Sequence, residues 1–127
     1  MSHQILLIDD EELIREVAVM SLSTVGGFTV TTAGSGEEGL RLAMAERPDA
    51  ILLDVMMPGL DGPRMFEHLQ ANPATADIPV VLLTAKARPS DHQQWAQLGV
   101  AGIVVKPFDP MALPDRVTEL LGWTRSQ

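Results

Sequence analysis

Residues 50–62 read AILLDVMMPGLDG, an apolar run that ends in the carboxylate of Asp54 and then passes into a loop rich in proline and glycine. A short continuous run of Ile and Leu bounded by turn residues is typical of a strand covered on both faces, as in a parallel sheet. The sequence therefore predicts a buried central strand that delivers Asp54 to an open edge of the sheet.

Three other apolar runs have the same form, and each ends in a polar residue. They are residues 5–8 before Asp9 and Asp10, residues 80–83 before Thr84, and residues 103–105 before Lys106. In an open α/β sheet, ligands bind outside the carboxyl ends of the strands, where the strand order reverses. We therefore expect Asp9, Asp10, Asp54, Thr84 and Lys106 to meet at one edge.

Three carboxylates so close together require a cation. Two like charges about 4 Å apart repel by roughly 4 kcal/mol at an effective dielectric constant near 20. A divalent metal that prefers oxygen ligands, together with the ammonium of Lys106, would balance the acids. Asp54 would then remain usable as a nucleophile or a phosphate carrier.

Length and composition limit the possible functions. The chain has 127 residues, which suits one domain with a single core, so residues 1–127 are expected to form one domain. Its net charge of −8 argues against direct nucleic-acid binding, and zero cysteines exclude disulfides and thiolate chemistry. Neither a membrane-length apolar run nor a secretory signal is evident, so the cytoplasm is the expected location.

The rest of the chain alternates helices with these strands. Apolar residues at helical spacing predict helices over residues 11–25, 35–47, 61–72 and 90–98, and a fifth that ends near residue 121. A β-branched segment at residues 28–33 predicts a second strand near a sheet edge. Ser35 and Asp61 are predicted to cap the helices that follow them. The fifth helix should begin irregularly, because Pro114 cannot donate a hydrogen bond to the Pro110 carbonyl.

These motifs closely resemble the receiver domains of two-component response regulators, including the chemotaxis regulators. The resemblance covers residues 5 to about 121. It rests on Asp9-Asp10, the segment from Asp54 to Gly62, Thr84-Ala85 and Lys106-Pro107-Phe108. Right-handed crossovers leave few arrangements for alternating strands and helices. We expect a flavodoxin-like, doubly wound α/β fold, with a five-stranded parallel sheet in the order 2-1-3-4-5 and five flanking helices.

The resemblance implies a role for each residue at the strand ends. Asp54 would accept a phosphoryl group, while Asp10, Asp54 and the Met56 backbone carbonyl would bind Mg²⁺ and Asp9 would act mainly through bound water. The Thr84 hydroxyl and the Lys106 ammonium would contact phosphoryl oxygens. The family also has a cis peptide between the residues that correspond to Lys106 and Pro107.

The implied function is a phosphorylation-dependent signalling switch that catalyses only its own phosphoryl transfer and dephosphorylation. Its donor would be a sensor histidine kinase or a phosphotransfer protein, and its target a downstream protein or output domain that binds near helix four, strand five and helix five. One departure concerns Ile103, where the family usually has Tyr or Phe as a switch residue. The usual coupling between the Thr and the aromatic residue is therefore not expected here.

Two other functions fit parts of the pattern. An aspartyl-phosphate hydrolase of small phosphate esters also needs an acidic cluster and a lysine, but such enzymes usually place an acid two residues after the nucleophile, where this chain has Met56. Flavin binding on the same fold is disfavoured, because the acidic residues 9–12 would repel a phosphate in the absence of a metal. Fold class alone does not separate these functions.

Overall fold

The computed structural model describes residues 3–59, 61–85 and 88–123. Its strands are β1 (Gln4–Ile8), β2 (Thr29–Ala33), β3 (Ala50–Asp54), β4 (Val80–Thr84) and β5 (Gly102–Val105). All neighbouring pairs are parallel, and the order is β2-β1-β3-β4-β5, so the predicted sheet is confirmed.

Five helices flank this sheet. They are α1 (Glu12–Met20), which continues as a π-helical segment at Ser21–Val25, α2 (Gly36–Glu46), α3 (Gly62–Ala71), α4 (Pro89–Gln97) and α5 (Leu113–Leu121). The predicted irregular start of α5 is confirmed, because the helix begins at Leu113 and has Pro114 in its first turn. Within the described part of the chain, no helix is long and apolar enough to cross a membrane.

The core has two layers, because successive side chains of a strand point to opposite faces of the sheet. On one face, Leu6, Ile8 and Leu53 pack with residues of α2, α3 and α4. On the other face, Leu7 and Leu52 pack with residues of α1 and α5. Every residue of β3 is buried, as expected for a central strand with a helix layer on each side.

The two edge strands are less covered than the centre. In β2 only Ala33 is fully buried, and in β5 only Val104 is. The prediction that the second strand lies at an edge is therefore confirmed. The register pairs Ile8 with Leu53, which brings the carboxyl ends of β1 and β3 to the same level of the sheet.

Side chains cap α2 and α3 as predicted. The Ser35 hydroxyl accepts a hydrogen bond from the Glu38 N–H at 3.2 Å, and the Asp61 carboxylate accepts one from the Arg64 N–H at 2.9 Å. Glu38 accepts in turn from the Gly34 N–H at 2.8 Å, one residue before the cap. These bonds satisfy amides that have no partner within the helices.

Candidate functional site

Asp9, Asp54 and Lys106 meet at the carboxyl end of the sheet. The Lys106 ammonium donates to Asp9 Oδ2 at 2.7 Å and to Asp54 Oδ1 at 3.2 Å. The Lys106 side chain is 9% exposed, while the Asp9 and Asp54 side chains are 0% and 4% exposed. Because Asp9 follows β1, Asp54 ends β3 and Lys106 follows β5, the strand register itself brings the three side chains together.

The backbone of the sheet also fixes where Lys106 begins. Its N–H donates to the Thr84 carbonyl at 2.7 Å, so the chain after β5 still follows the end of β4. Thr84 is completely buried, and the register pairs it with Val105. The peptide bond between Lys106 and Pro107 is cis, as predicted.

Asp10 and Glu11 extend the cluster toward solvent. The four residues Asp9, Asp10, Glu11 and Asp54 each offer a carboxylate oxygen, and these oxygens lie within 4.8 Å of one another. Glu11 Oε1 lies 3.6 Å from Lys106 Nζ, and the Glu11 N–H donates to Asp9 Oδ1 at 2.9 Å. Sequence reasoning missed Glu11 as a site residue, although it follows Asp10 directly in the acidic run.

Arg15 is a second group that the sequence did not indicate. Its Nη1 donates to the Asp9 backbone carbonyl at 2.8 Å from one turn inside α1. The guanidinium therefore braces the chain where β1 leaves the sheet, and it adds positive charge beside the acids. A basic residue on an amphipathic helix usually faces water, so its spacing from Asp9 carried no clear signal.

Burial and charge set the protonation of the two central groups. Burial and then the charge of Asp9 raise the pKa of Asp54 to about 6, although the charge and hydrogen bond of Lys106 oppose this shift. Burial alone would lower the pKa of Lys106, but its hydrogen bond to Asp9 and the charges of Asp54 and Asp9 raise it above the ordinary value of 10.5. Lys106 is therefore a stable cation at neutral pH.

The loop after β3 comes back close to Asp54. A Cβ atom on Gly62 would lie 2.8 Å from the Asp54 carbonyl oxygen and 2.8 Å from the Val55 Cα, so only glycine permits this approach. The Gly62 N–H donates to the Val55 carbonyl at 2.9 Å. Met56 is 58% exposed, and its N–H lies 3.4 Å from Asp54 Oδ1.

The donor set suits a hard divalent cation. All four clustered ligand candidates, Asp9, Asp10, Glu11 and Asp54, are carboxylates, and one ammonium faces them. Mg²⁺ favours a few carboxylate oxygens and retains several waters, and the exposed Asp10 and Glu11 leave room for such waters. The arrangement can hold a cation beside the buried Asp54 carboxylate.

Comparison with known proteins identifies the family of this chain. A family model described as the response regulator receiver domain matches residues 5–118. The probable transcriptional regulator ycf27 of Guillardia theta is 39% identical over 118 residues, which are 93% of this chain and 45% of that protein. This chain spans about half the length of the curated relatives it matches.

Similar solved structures include a chemotaxis protein and a receiver domain. The chemotaxis protein CheY4 of Vibrio cholerae has a TM-score of 0.87 at 29% identity, covering 94% of this chain and 99% of that one. The receiver domain of the sensor histidine kinase PA1611 of Pseudomonas aeruginosa has a magnesium ion coordinated in its active-site cleft. Its TM-score is 0.83 at 30% identity, over 96% of this chain and 99% of that one. The strand-end site, the fold and the matched family model together establish that this chain belongs to the response regulator receiver domain family.

Proposed function

We propose that this chain is a phosphorylation-operated signalling switch in which Asp54 accepts a phosphoryl group from the phosphohistidine of a sensor kinase or phosphotransfer protein. The observation that carries the proposal is the buried Asp54 carboxylate, hydrogen-bonded to Lys106 at 3.2 Å within a cluster of three further acids. Burial limits competing water around this carboxylate, and the strand end places it beside the exposed Asp10 and Glu11.

The chemistry is an in-line transfer onto an oxygen of Asp54. That oxygen attacks the phosphorus, the bond from phosphorus to the histidine nitrogen breaks, and the electron pair of that bond stays on the imidazole. The product is an acyl phosphate. Lys106, already held 3.2 Å from Asp54, pairs with a phosphoryl oxygen, and the Thr84 hydroxyl donates to another.

Mg²⁺ is the proposed metal at this site. Asp10, Asp54 and the Met56 backbone carbonyl would hold it, with Asp9 acting mainly through bound water. When bound, the ion would neutralise charge on the incoming phosphoryl group. The carboxylate-only donor set supports this choice, as does the magnesium in the related PA1611 receiver.

The proposed output is a change of the surface formed by α4, β5 and α5, read by a downstream protein or an output domain. Residues 1–127 would act as one receiver domain, and the chain itself would not contact nucleic acid. Its net charge of −8 supports the expectation that the chain does not bind nucleic acid directly. Curated relatives named as transcriptional regulators are about twice as long, so they carry further sequence outside the matched part.

Intact-mass measurement after incubation with acetyl phosphate and Mg²⁺ tests the proposal. We expect one added phosphoryl group that alkaline hydroxylamine removes, and we expect no addition to the Asp54→Asn variant. Asp77→Asn is the matched control, because Asp77 is an exposed aspartate in the segment between α3 and β4, and it should label like the wild type.

Two outcomes would contradict this function. Equal labelling of the Asp54→Asn variant would place the phosphoryl group elsewhere. Sustained hydrolysis of a small phosphate ester, dependent on Asp54, would instead favour the aspartyl-phosphate hydrolase considered from the sequence.

A further inference from the structure

We propose that Ser21 is a positioning residue for Lys106. Its buried hydroxyl replaces a helix hydrogen bond that Pro114 cannot form, and it thereby anchors the segment that follows Lys106. The inference rests on the proposed function, because it concerns how Lys106 is held for phosphoryl transfer to Asp54.

The start of α5 leaves one carbonyl without its usual donor. The N–H groups of Ala112 and Leu113 both donate to the Asp109 carbonyl, at 3.0 and 2.9 Å. The next bond of this series would join the amide of residue 114 to the Pro110 carbonyl. Pro114 has no N–H, so the Pro110 carbonyl needs a donor from outside the helix.

Ser21 supplies that donor from the neighbouring helix α1, which packs on the same face of the sheet as α5. Its hydroxyl donates to the Pro110 carbonyl, 89 residues away in sequence, and Ser21 is only 2% exposed. Ser21 is also the residue at which α1 changes to π-helical geometry, and such changes often occur at functional contacts. Its hydroxyl is therefore committed to the chain that leads into α5.

The end of the same π-helical segment packs against the proline that creates the gap. A Cβ atom on Gly26 would lie 2.8 Å from the Pro114 Cβ, so the two backbones approach closely. Thr118, one turn further along α5, donates its hydroxyl to the Pro114 carbonyl at 2.8 Å. The contact between Ser21 and Pro110 thus belongs to a packed joint between α1 and α5.

The path from this joint to the active site is four residues long. Within this segment, Phe108 packs on the core layer of α1 and α5. The Asp109 carboxylate accepts a hydrogen bond from the Met111 N–H at 2.9 Å. At the other end, the Lys106 N–H is bonded to the Thr84 carbonyl. The segment is therefore held at both ends, and Ser21 provides the distal anchor. Small displacements of a catalytic group can cost large factors in rate.

Phosphorylation kinetics of Ser21→Ala test this role. We expect the rate of Asp54 phosphorylation by acetyl phosphate, at saturating Mg²⁺, to fall about 3- to 10-fold while the Mg²⁺ affinity stays unchanged. Ser23→Ala is the matched control, because the Ser23 hydroxyl donates within its own helix, to the Val19 carbonyl at 2.6 Å. That variant should react at the wild-type rate.

Two further variants separate positioning from a general effect on folding. Pro114→Ala restores an N–H that can reach the Pro110 carbonyl, so the Ser21→Ala/Pro114→Ala pair should recover most of the rate even if Ser21→Ala alone folds poorly. In a Lys106→Ala background, Ser21→Ala should cause no additional loss, since its effect passes through Lys106.

The inference would be overturned by a wild-type rate in Ser21→Ala, by no recovery in the pair, or by an equal loss with Lys106 removed. In each of those cases the wild-type chain still labels on Asp54 and the proposed function stands. Failure of the wild type itself to accept a phosphoryl group would overturn both.

Discussion

The carboxyl group of Asp54 has a higher pKa in the folded chain than in the unfolded chain. Burial and the nearby charge of Asp9 raise its pKa in the folded chain to about 6, from 3.8 in the absence of such neighbours. The folded chain therefore binds a proton on Asp54 more tightly than the unfolded chain does. The protonated carboxyl group of Asp54 therefore stabilises the folded chain fully below pH 3.8, and this stabilisation is lost as the pH rises through about 6.

Metal-free stability should thus depend on pH through Asp54. Between about pH 4 and pH 7 the wild type should lose stability as Asp54 deprotonates, whereas Asn does not titrate. We therefore expect the free energy of unfolding of Asp54→Asn to rise, relative to that of the wild type, by on the order of 1–3 kcal/mol over this range. Urea denaturation in the presence of a chelator measures this difference. A difference between Asp54→Asn and the wild type that does not change with pH would contradict the raised pKa of Asp54.

At this scale, the residues that could be predicted from the sequence are those that end a strand. Asp9, Asp54 and Lys106 each follow an apolar run, and parallel strands must bring such residues to one edge. Glu11 and Arg15 reach the same place from the loop after β1 and from α1. Their positions depend on how α1 is rotated about its axis, and a periodic sequence pattern fixes that rotation only to within a residue or more.

At the scale of elements, Gly39 shows why helix propensity alone misleads. Glycine inside α2 costs up to about 1 kcal/mol relative to alanine by propensity. A Cβ atom at this position would however lie 2.5 Å from Ile8 Cδ1 and 3.1 Å from Met65 Cε, and both of these side chains are fully buried. The glycine therefore allows α2 to approach the sheet, and packing outweighs propensity.

We expect Gly39→Ala to destabilise the fold by about 1–2 kcal/mol, because overpacking costs more than the helix gains. Ala45→Gly, at an exposed position of the same helix, should lose only the propensity difference of about 1 kcal/mol. Ile8→Val removes the contacting Cδ1 atom, so Gly39→Ala should cost less in that background. Denaturant unfolding measures all of these variants, and a more stable Gly39→Ala would show that α2 can move away at no cost.

The elements themselves could be predicted to within a few residues, and the exceptions have physical causes. Residues 11–25 were predicted as one helix, but the last turn is π-helical from Ser21, where a side chain bonds to a loop distant in sequence. The irregular start of α5 was predictable because Pro114 acts locally. Long-range contacts are not encoded in periodicity, so the partner of the Pro110 carbonyl could not be predicted.

At the scale of the whole molecule, the segment from Lys106 to α5 is held more firmly than α4. The Lys106 N–H donates to the Thr84 carbonyl of β4, and the Ser21 hydroxyl donates to the Pro110 carbonyl just before α5. By contrast, α4 buries only Trp95 and has no side-chain N-cap. Elements with few buried contacts move at a low free-energy cost. A signal that arises at Asp54 should therefore be expressed more easily through α4 than through α5.

Ile103 strengthens this asymmetry. It is a partly buried aliphatic residue of β5 that packs on the core layer containing Trp95. The resemblance to receiver domains implies an aromatic switch residue at this position. A modification shifts a two-state equilibrium only through interactions that differ between the states. Isoleucine presents less area than an aromatic ring and has no hydroxyl. An inward and an outward position of the Ile103 side chain would therefore differ little in free energy.

We therefore expect activation to alter residues 84–92, of which 86 and 87 lie outside the described residues, far more than β5. Hydrogen exchange, compared between the free chain and the chain bound to beryllofluoride and Mg²⁺, should change mainly between Thr84 and His92 and little at Gly102–Val105. Asp54→Asn should show no change with the same reagents, which controls for binding elsewhere. Ile103→Tyr should add a change in β5, because the larger side chain has two distinguishable positions. Strong and equal changes around Ile103 in the wild type would mean that an aliphatic residue can couple Thr84 to the β5 surface, and the asymmetric switch would then be wrong.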